Sequence, residues 1–436
     1  DFDLVGISCM TATANRSYLL SDMYRQRGSK VVLGGIHPTI LPQEATRHAD
    51  AVVIGEAEGC WADVINDFRK GKLQKFYHVP TPDLSKYPFP RRDFHIDKAL
   101  FNCVGLLTTR GCPYACEFCS VTDFYGRKIR HRPISMVVGD IKQSGSKTFL
   151  ILDDNVTGHP EYSKKLFEAL IPLGIRWVGQ SSISLAKDKD TLKLCRLSGC
   201  AALFFGLESV SPSSLMGMEK TLKSIEETEE AIKIIQDNGI AFHPSIILGF
   251  DTDMKAIFDD TLEFLARTKL PTMALHVLTP YPGTRIYRRF QDQGRIISHD
   301  WSHDDHHAVV FQPKNRTPQE LAEGHYHVQS EFYSFSSIIR HVPFLLSVSP
   351  INLRRVVLLL LLNIAGKKVA KYIDTSLDWA DNNERCNYQK IRPDDKLLKG
   401  SNVFSSDQAH LPSQALKDGS PYKNDEQPLS EENKLP

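Results

Sequence analysis

The chain has 436 residues, enough for about three domains and more than one buried core. Its 53 Lys and Arg stand against 52 Asp and Glu, a formal net charge of +1. No global field therefore draws it to nucleic acid or anionic lipid, and a small-molecule substrate is the default partner. The nine cysteines are odd in number and mostly scattered, which excludes a disulfide framework and points to a reducing, cytoplasmic setting.

From Leu4 to about Phe68, short apolar runs alternate with helical patterns. Leu4 to Ser8 reads as a strand, Asn15 to Arg27 as a helix stopped by Gly28, and Val31 to Leu33 as a second strand. A helix from Gln43 to His48, a strand from Ala51 to Ile54 and a helix around Cys60 to Arg69 follow. This alternation predicts a parallel sheet with covered faces, an incomplete Rossmann-like (flavodoxin-like) α/β unit. Because Asp1 to Ser8 already reads as buried strand, the chain is expected to start inside a domain. Parallel sheets bind ligands beyond their strands' carboxyl ends. Here those ends carry Ser8 to Thr13, Gly34 to Thr39 and Gly55 to Glu58, small and polar segments that suit a nucleotide-sized ligand.

Val79 to Arg92, with Pro80, Pro82, Pro88 and Pro90, reads as extended linker, expected over 79–100. From Val104 to about Gln293 the rhythm is regular. Strands are predicted from Val104 to Thr109, Lys147 to Leu152, Arg176 to Gly179, Ala201 to Gly206, Ala241 to Gly249 and Thr272 to Leu278. Helices fall between them, near Ile134 to Gln143, Glu161 to Ile171, Asp188 to Leu197, Ile225 to Asn238 and Met254 to Arg267. Six strand-helix units predict a right-handed partial (β/α)6 barrel over 101–295.

In such a barrel chemistry gathers at the strand carboxyl ends. The first is followed by Cys112, Cys116 and Cys119, three cysteines inside eight residues, on a loop broken by Gly111 and Pro113. A cuboidal four-iron cluster held wholly by protein takes four cysteines, so three leave one iron open. An open metal position serves chemistry, whereas a structural site is closed. A zinc site from the same thiolates plus His131, or a chance grouping, remains an alternative. The next ends carry Asp153, Asp154 and Asn155, which could hold an amine, then Gln180, Ser181 and Ser182, suited to hydrogen bonding. Glu208 follows, placed for ribose hydroxyls or an ammonium, then Gly249 to Asp253, and Thr279 to Thr284, whose turn could meet an adenine. Taken singly, each of these also fits a turn or a helix cap.

The CxxxCxxC spacing, with Phe118 directly before Cys119, resembles the signature of the radical S-adenosylmethionine (SAM) enzymes. Together with the six strand ends, the resemblance covers roughly 200 residues. It implies a 4Fe-4S cluster on Cys112, Cys116 and Cys119 whose open iron is chelated by SAM, and reductive cleavage of SAM to a 5′-deoxyadenosyl radical. It places Asp153, Asp154 and Asn155 near the SAM amino group, adds Gln180, Ser182 and Glu208 as cofactor-binding residues, and calls for an external electron donor of flavodoxin or ferredoxin type.

The preceding half-sheet resembles the latter part of a cobalamin-binding domain, in which Gly34, Gly35, His37, Thr39 and Gly55-Glu56 would line the cofactor. The Asp-x-His-x-x-Gly segment whose His coordinates cobalt in many such proteins would lie upstream of Asp1. His37, a His before Pro in a turn, is expected to make local hydrogen bonds instead. With cobalamin bound, the resemblance implies methyl transfer to an unactivated carbon, on a lipid-like or polyketide-like substrate. Radical cyclisation or rearrangement is the alternative, and an iron-sulfur electron carrier or a zinc-stabilised binding module is the alternative from another class.

The basic run Tyr125 to Arg132 has no matching aromatic stripe elsewhere, so nucleic acid is not expected and its cations are assigned to the SAM carboxylate or the cluster. His299, His303, His306 and His307 interleave with aspartates and predict no second metal. Cys195 and Cys200 are expected to be buried small residues. A helical region is expected over 296–392 and a disordered tail over 393–436, where apolar residues thin out. Val356 to Leu362, extended by Ile364 and Ala365, is far shorter than the ~20 residues of a membrane span and is read as a buried helix. Flanking Arg and Lys leave membrane contact as the lesser alternative.

Overall fold

The computed structural model describes residues 2–78, 81–92, 103–216, 222 and 224–337. Two parallel sheets organise them. The first contains β1 (Leu4–Ser8), β2 (Lys30–Gly34), β3 (Ala51–Ile54) and β4 (Phe76–His78), in that order and all parallel. Val31, Val32, Leu33 and all of β3 are buried, as a β-branched run covered on both faces should be. The crossings use α1 (Ala14–Gln26), α2 (Ile36–Ile40), α3 (Pro42–Ala45) and α4 (Trp61–Arg69). Two details depart from the sequence pattern. The helix expected from Gln43 to His48 starts earlier and is two short ones, because Pro42 opens a new first turn. The three-residue β4 has too short a pattern to read, and its Tyr77 is fixed by a hydroxyl donating to Asp67 at 3.0 Å.

The second sheet contains β5 (Val104–Leu106). Behind it, β6 (Thr109–Arg110) leaves the sheet and, after α5 (Ser120–Tyr125), pairs antiparallel with β7 (Arg130–His131). The first barrel strand thus ends at Leu106, short of the expected Thr109. The units continue as α6 (Ile134–Ser144), β8 (Thr148–Ile151), α7 (Pro160–Leu170), β9 (Arg176–Ser181), α8 (Lys189–Leu197) and β10 (Cys200–Glu208). Then come α9 (Pro212–Met216), α10 (Ile225–Asp237), β11 (Ala241–Leu248), α11 (Ile257–Arg267) and β12 (Ala274–Val277). Sheet order is β12-β11-β10-β9-β8-β5, all parallel, a curled half-barrel of six strands. Helices α12 (Arg285–Asp292) and α13 (Pro318–Phe332) follow, the latter started by a capping box between Thr317 and Glu320.

Alternation along these strands separates two faces. Phe149, Ile151, Trp177, Leu203, Phe205, Phe242 and Ile246 pack outward against Leu166, Phe167, Ile235 and Phe264 of the helices, in one core with Cys195 and Cys200. Each such side chain stabilises by roughly 1.5–3 kcal/mol. The residues between them face the concave side. There Leu150, Leu152 and Phe204 remain 37%, 54% and 41% exposed. A closed eight-stranded barrel fills this space with its own side chains; six strands leave it open.

The two sheets meet along a seam. The Trp301 indole donates to Glu44 at 2.9 Å, and the Asn15 amide donates to Asp300 at 2.6 Å. Gly283, at φ +85°, lies so close to Ile40 that a Cβ would sit 2.7 Å from it. Tyr287 and Trp301 share one apolar cluster with Cys9 and Leu33.

Among the described residues no helix is long and apolar enough to cross a membrane. Residues 93–100 of the expected linker, Val356 to Leu362, Cys386 and the tail lie outside the described residues.

Candidate cofactor site at the mouth of the half-barrel

Beyond β5 the three cysteines share one loop, with Cys112 and Cys116 near enough to Cys119 to act on its charge. Cys112, Cys116 and Cys119 are half-buried, none is in a disulfide, and the Cys119 amide donates to the Cys116 carbonyl at 3.2 Å. Burial pushes the Cys119 thiol up to about 12, with Cys116, Cys112 and Glu208 close enough to add to the shift. Thiolates in this setting require a compensating cation, which suits iron. His131 stacks on Tyr162 at 4.6 Å, and among the described residues no three His, Cys, Asp or Glu side chains are arranged to hold a metal ion, those of the cysteine loop included.

The loop carrying the thiols is tied on three sides. The Arg285 guanidinium donates to the Ala115 carbonyl, and the Ile286 amide donates to the Glu117 carbonyl at 3.0 Å. The Tyr114 hydroxyl reaches Ser182 and Ser184, each at 3.3 Å. From the first sheet, Glu56 receives both Arg110 and Arg130, Glu58 receives Arg110, and the Tyr125 ring lies 5.9 Å from each guanidinium. Glu56 is buried at 8% exposure.

The other expected site residues fall into two groups. Asp154 lies beside the loop, accepting from the Gly111 amide at 3.3 Å, and burial raises its pKa. Glu208 ends β10 just after a register shift, buried and left-handed at φ 66°. A non-glycine residue held there costs of order 1–3 kcal/mol, and such strain concentrates at functional sites. Gln180 is exposed on the concave face. By contrast, Asp153 turns inward and is fully buried. It accepts from the Thr108 amide at 2.7 Å and from both the Thr108 and Thr109 hydroxyls, and burial lifts its pKa to about 6. Asn155 is occupied with its own turn, its Oδ1 accepting from Thr157 at 3.2 Å and from the Ser182 amide at 3.3 Å. Ser182 serves as the cap of the next turn. These three frame the site from behind.

Along the first sheet, Gly34 and Gly35 leave bare backbone beside the exposed Ser8 and Met10 at the carboxyl edge. A Cβ on Gly35, at φ +97°, would sit 2.7 Å from the Cys9 carbonyl oxygen. Bare backbone and exposed edge residues fit a large planar cofactor such as cobalamin. His37 is fully buried, 3.2 Å from Glu44 and 3.4 Å from Thr11, the local role expected of it and not a cofactor-facing one. Thr39 donates to the Gly35 carbonyl at 2.7 Å and accepts from the Gly55 amide at 3.0 Å, stapling the loops together.

Other charged groups are held by pairs within the chain. Asp251, at the fifth strand end, is paired with Arg289 and Arg295 at 2.6 Å each, and Arg289 also holds Glu117 of the cysteine loop at 2.7 Å. Of the cations assigned to the SAM carboxylate or the cluster, two are internal: Arg130 goes to Glu56, and Arg132 to Asp140 at 3.0 Å. Pairing across such distances in the chain has no periodicity to betray it. Between the two sheets lies a cavity of about 660 Å³, lined by Trp61, Tyr87, Phe89, Gly105, Arg110 and Leu152 among others.

Two family descriptions match: Radical SAM superfamily over residues 106–265, and B12 binding domain over residues 1–65. The bacteriochlorophyllide d C-12(1)-methyltransferase of Chlorobaculum tepidum is 30% identical over 356 residues, 78% of this chain and 77% of that protein. The bacteriochlorophyllide d C-8(2)-methyltransferase of the same organism is 31% identical over 329 residues, 69% of this chain and 71% of that protein. Among solved structures, the cobalamin-dependent SAM radical enzyme OxsB, with aqua-cobalamin and SAM bound, superposes with a TM-score of 0.63 at 15% identity, over 85% of this chain and 63% of that one.

Proposed function

Because the chain belongs to the radical SAM superfamily, in the cobalamin-dependent methyltransferase branch that carries a B12 binding domain, we propose that it methylates an unactivated carbon on the periphery of a bacteriochlorophyllide-like tetrapyrrole. When bound, the 4Fe-4S cluster supplies the electron for reductive SAM cleavage and cobalamin supplies the methyl carrier. The chain's own part is to hold and orient. Cys112, Cys116 and Cys119 would hold the cluster and leave one iron for SAM; Glu208 and Asp154, with Gln180, would bind SAM's polar groups, and Gly34 and Gly35 would face cobalamin. An external donor of flavodoxin or ferredoxin type delivers the electrons.

The observation that carries this reading is the grouping of three cysteines on one loop near a left-handed Glu208, beside the open concave face with its exposed Leu150, Leu152 and Phe204. Leu150, Leu152 and Phe204 offer a large flat substrate apolar contact and exclude water from a radical reaction. The two bacteriochlorophyllide relatives direct the choice of a tetrapyrrole over the lipid-like or polyketide-like alternatives.

The test is anaerobic reconstitution with iron, sulfide and cobalamin, followed by a reductant, SAM and a magnesium chlorin. The expected products are 5′-deoxyadenosine, S-adenosylhomocysteine and a chlorin one methyl group heavier. Deoxyadenosine with a rearranged, unmethylated chlorin would favour the cyclase alternative. An intact cluster that yields no deoxyadenosine would defeat radical chemistry altogether.

A further inference from the structure

On the concave face of β11, among the open apolar side chains, stands an imidazole with no part in the cofactor site. His243 is partly exposed, with its ring edge-on to Phe204 at 4.6 Å. Its Nδ1 lies 2.8 Å from the hydroxyl of Thr272, which is buried at 6% exposure. Burial holds its pKa down at about 4, so it is neutral at ordinary pH and keeps a nitrogen lone pair. One ring nitrogen held by a buried partner, with the ring partly exposed on the open concave face, is how proteins orient a metal-binding histidine. No acidic, cysteine or histidine partners complete a resident metal site around it among the described residues. His276 on β12 is near enough to interact with it but completes no metal site, so a neutral nitrogen donor here suits a metal that arrives already coordinated on its other sides.

Chlorophyllides bring such a metal: four ring nitrogens hold the magnesium and leave an axial position open. Building on the reading of the substrate as a bacteriochlorophyllide-like tetrapyrrole, we propose that His243 Nε2 is the axial ligand of the substrate's magnesium, with Thr272 as the positioning residue that fixes the imidazole. The bond is dative, formed by the nitrogen lone pair; no electron or proton is transferred, and a loosely held axial water leaves. Hydrophobic contact with Leu150, Leu152 and Phe204 supplies affinity but tolerates rotation of a flat ring about its own normal and in-plane sliding. A point of attachment at the centre of the ring removes the sliding, and so helps decide which peripheral carbon faces the cofactors. The same bond discriminates by metal, since a metal-free chlorin of equal shape leaves the nitrogen unpaired.

The deciding measurement is a binding titration of the reconstituted holoprotein with a magnesium chlorin, its zinc analogue and the metal-free chlorin, followed by absorbance and by resonance Raman markers of coordination number. The magnesium and zinc forms are expected to bind at least about tenfold tighter than the metal-free form and to become five-coordinate with nitrogen. His243→Ala should erase that preference while leaving metal-free binding as it was, added imidazole should restore it, and Thr272→Val should weaken it partially. Equal binding of metallated and metal-free chlorins by the unaltered protein overturns the axial ligand and leaves the substrate class standing. A preference for metallated chlorins that survives in His243→Ala also overturns it. Binding of no chlorin at all, with cluster and cobalamin in place, overturns both.

Discussion

The carboxyl ends of the two sheets solve the same problem in opposite ways. At the half-barrel, the ligand-bearing loop has almost no regular structure of its own and is held by others: Arg285, Glu117 with Arg289, Tyr114 with Ser182, and Glu56 with Arg110. At the first sheet, His37 is held by Glu44 and Thr39 by Gly35 and Gly55, within the sheet's own loops, and glycine backbone faces outward beside Ser8 and Met10. A metal cluster requires donors fixed in number and direction. A large organic cofactor requires room, and an edge with few side chains would give it.

That contrast can be broken from either side. The largest effect is expected at the barrel end: Cys119→Ala should lose the cluster and reduce SAM cleavage to background, read as iron content and deoxyadenosine, while cobalamin binding is retained. Next comes Glu56→Gln, which leaves the half-buried Arg130 facing a neutral amide and Arg110 with Glu58 alone. A loss of roughly 3 kcal/mol is expected, with lower iron retention under chelator. Unchanged denaturant midpoint and iron retention would mean that the first sheet does not brace the cysteine loop. Gly35→Ala should cost about 1–3 kcal/mol through its positive φ and the clash with Cys9, and weaken cobalamin uptake with the iron content intact.

The smallest effect lies at the seam. Burial, together with Asp305 and Asp300, lifts the Asp304 carboxyl to about 7 from an ordinary 3.8, and its Oδ2 has no hydrogen-bond partner. Between pH 4 and 7 the folded state therefore holds a proton that the unfolded chain has released. Stability from this group falls as pH rises through that window, and the cost is fully present above about 7. Asp304→Asn should flatten that slope and stabilise the protein by on the order of 1–2 kcal/mol at pH 8, measured by thermal unfolding across pH.

Much of this layout is legible in the sequence. Six strand-helix units announced themselves because each barrel strand buries a face against helices, and the cysteine spacing is local. Asp153 could not be told from Asp154, since adjacent residues at a strand end point opposite ways and only the fold shows which one meets Thr108. Arg130 looked like a cofactor cation because its partner Glu56 is 74 positions away. His243 drew no notice, as one histidine inside an apolar run carries no signal until the concave face is known. The short β4 was lost for want of length.

The apolar cluster that joins Cys9 and Leu33 to Tyr287 and Trp301 has a consequence for how the protein comes apart. Heating should produce one cooperative melt in which both cofactor platforms disappear together, without an intermediate that keeps either. A half-barrel expressed by itself would present a wetted aromatic surface, and precipitation is its expected fate.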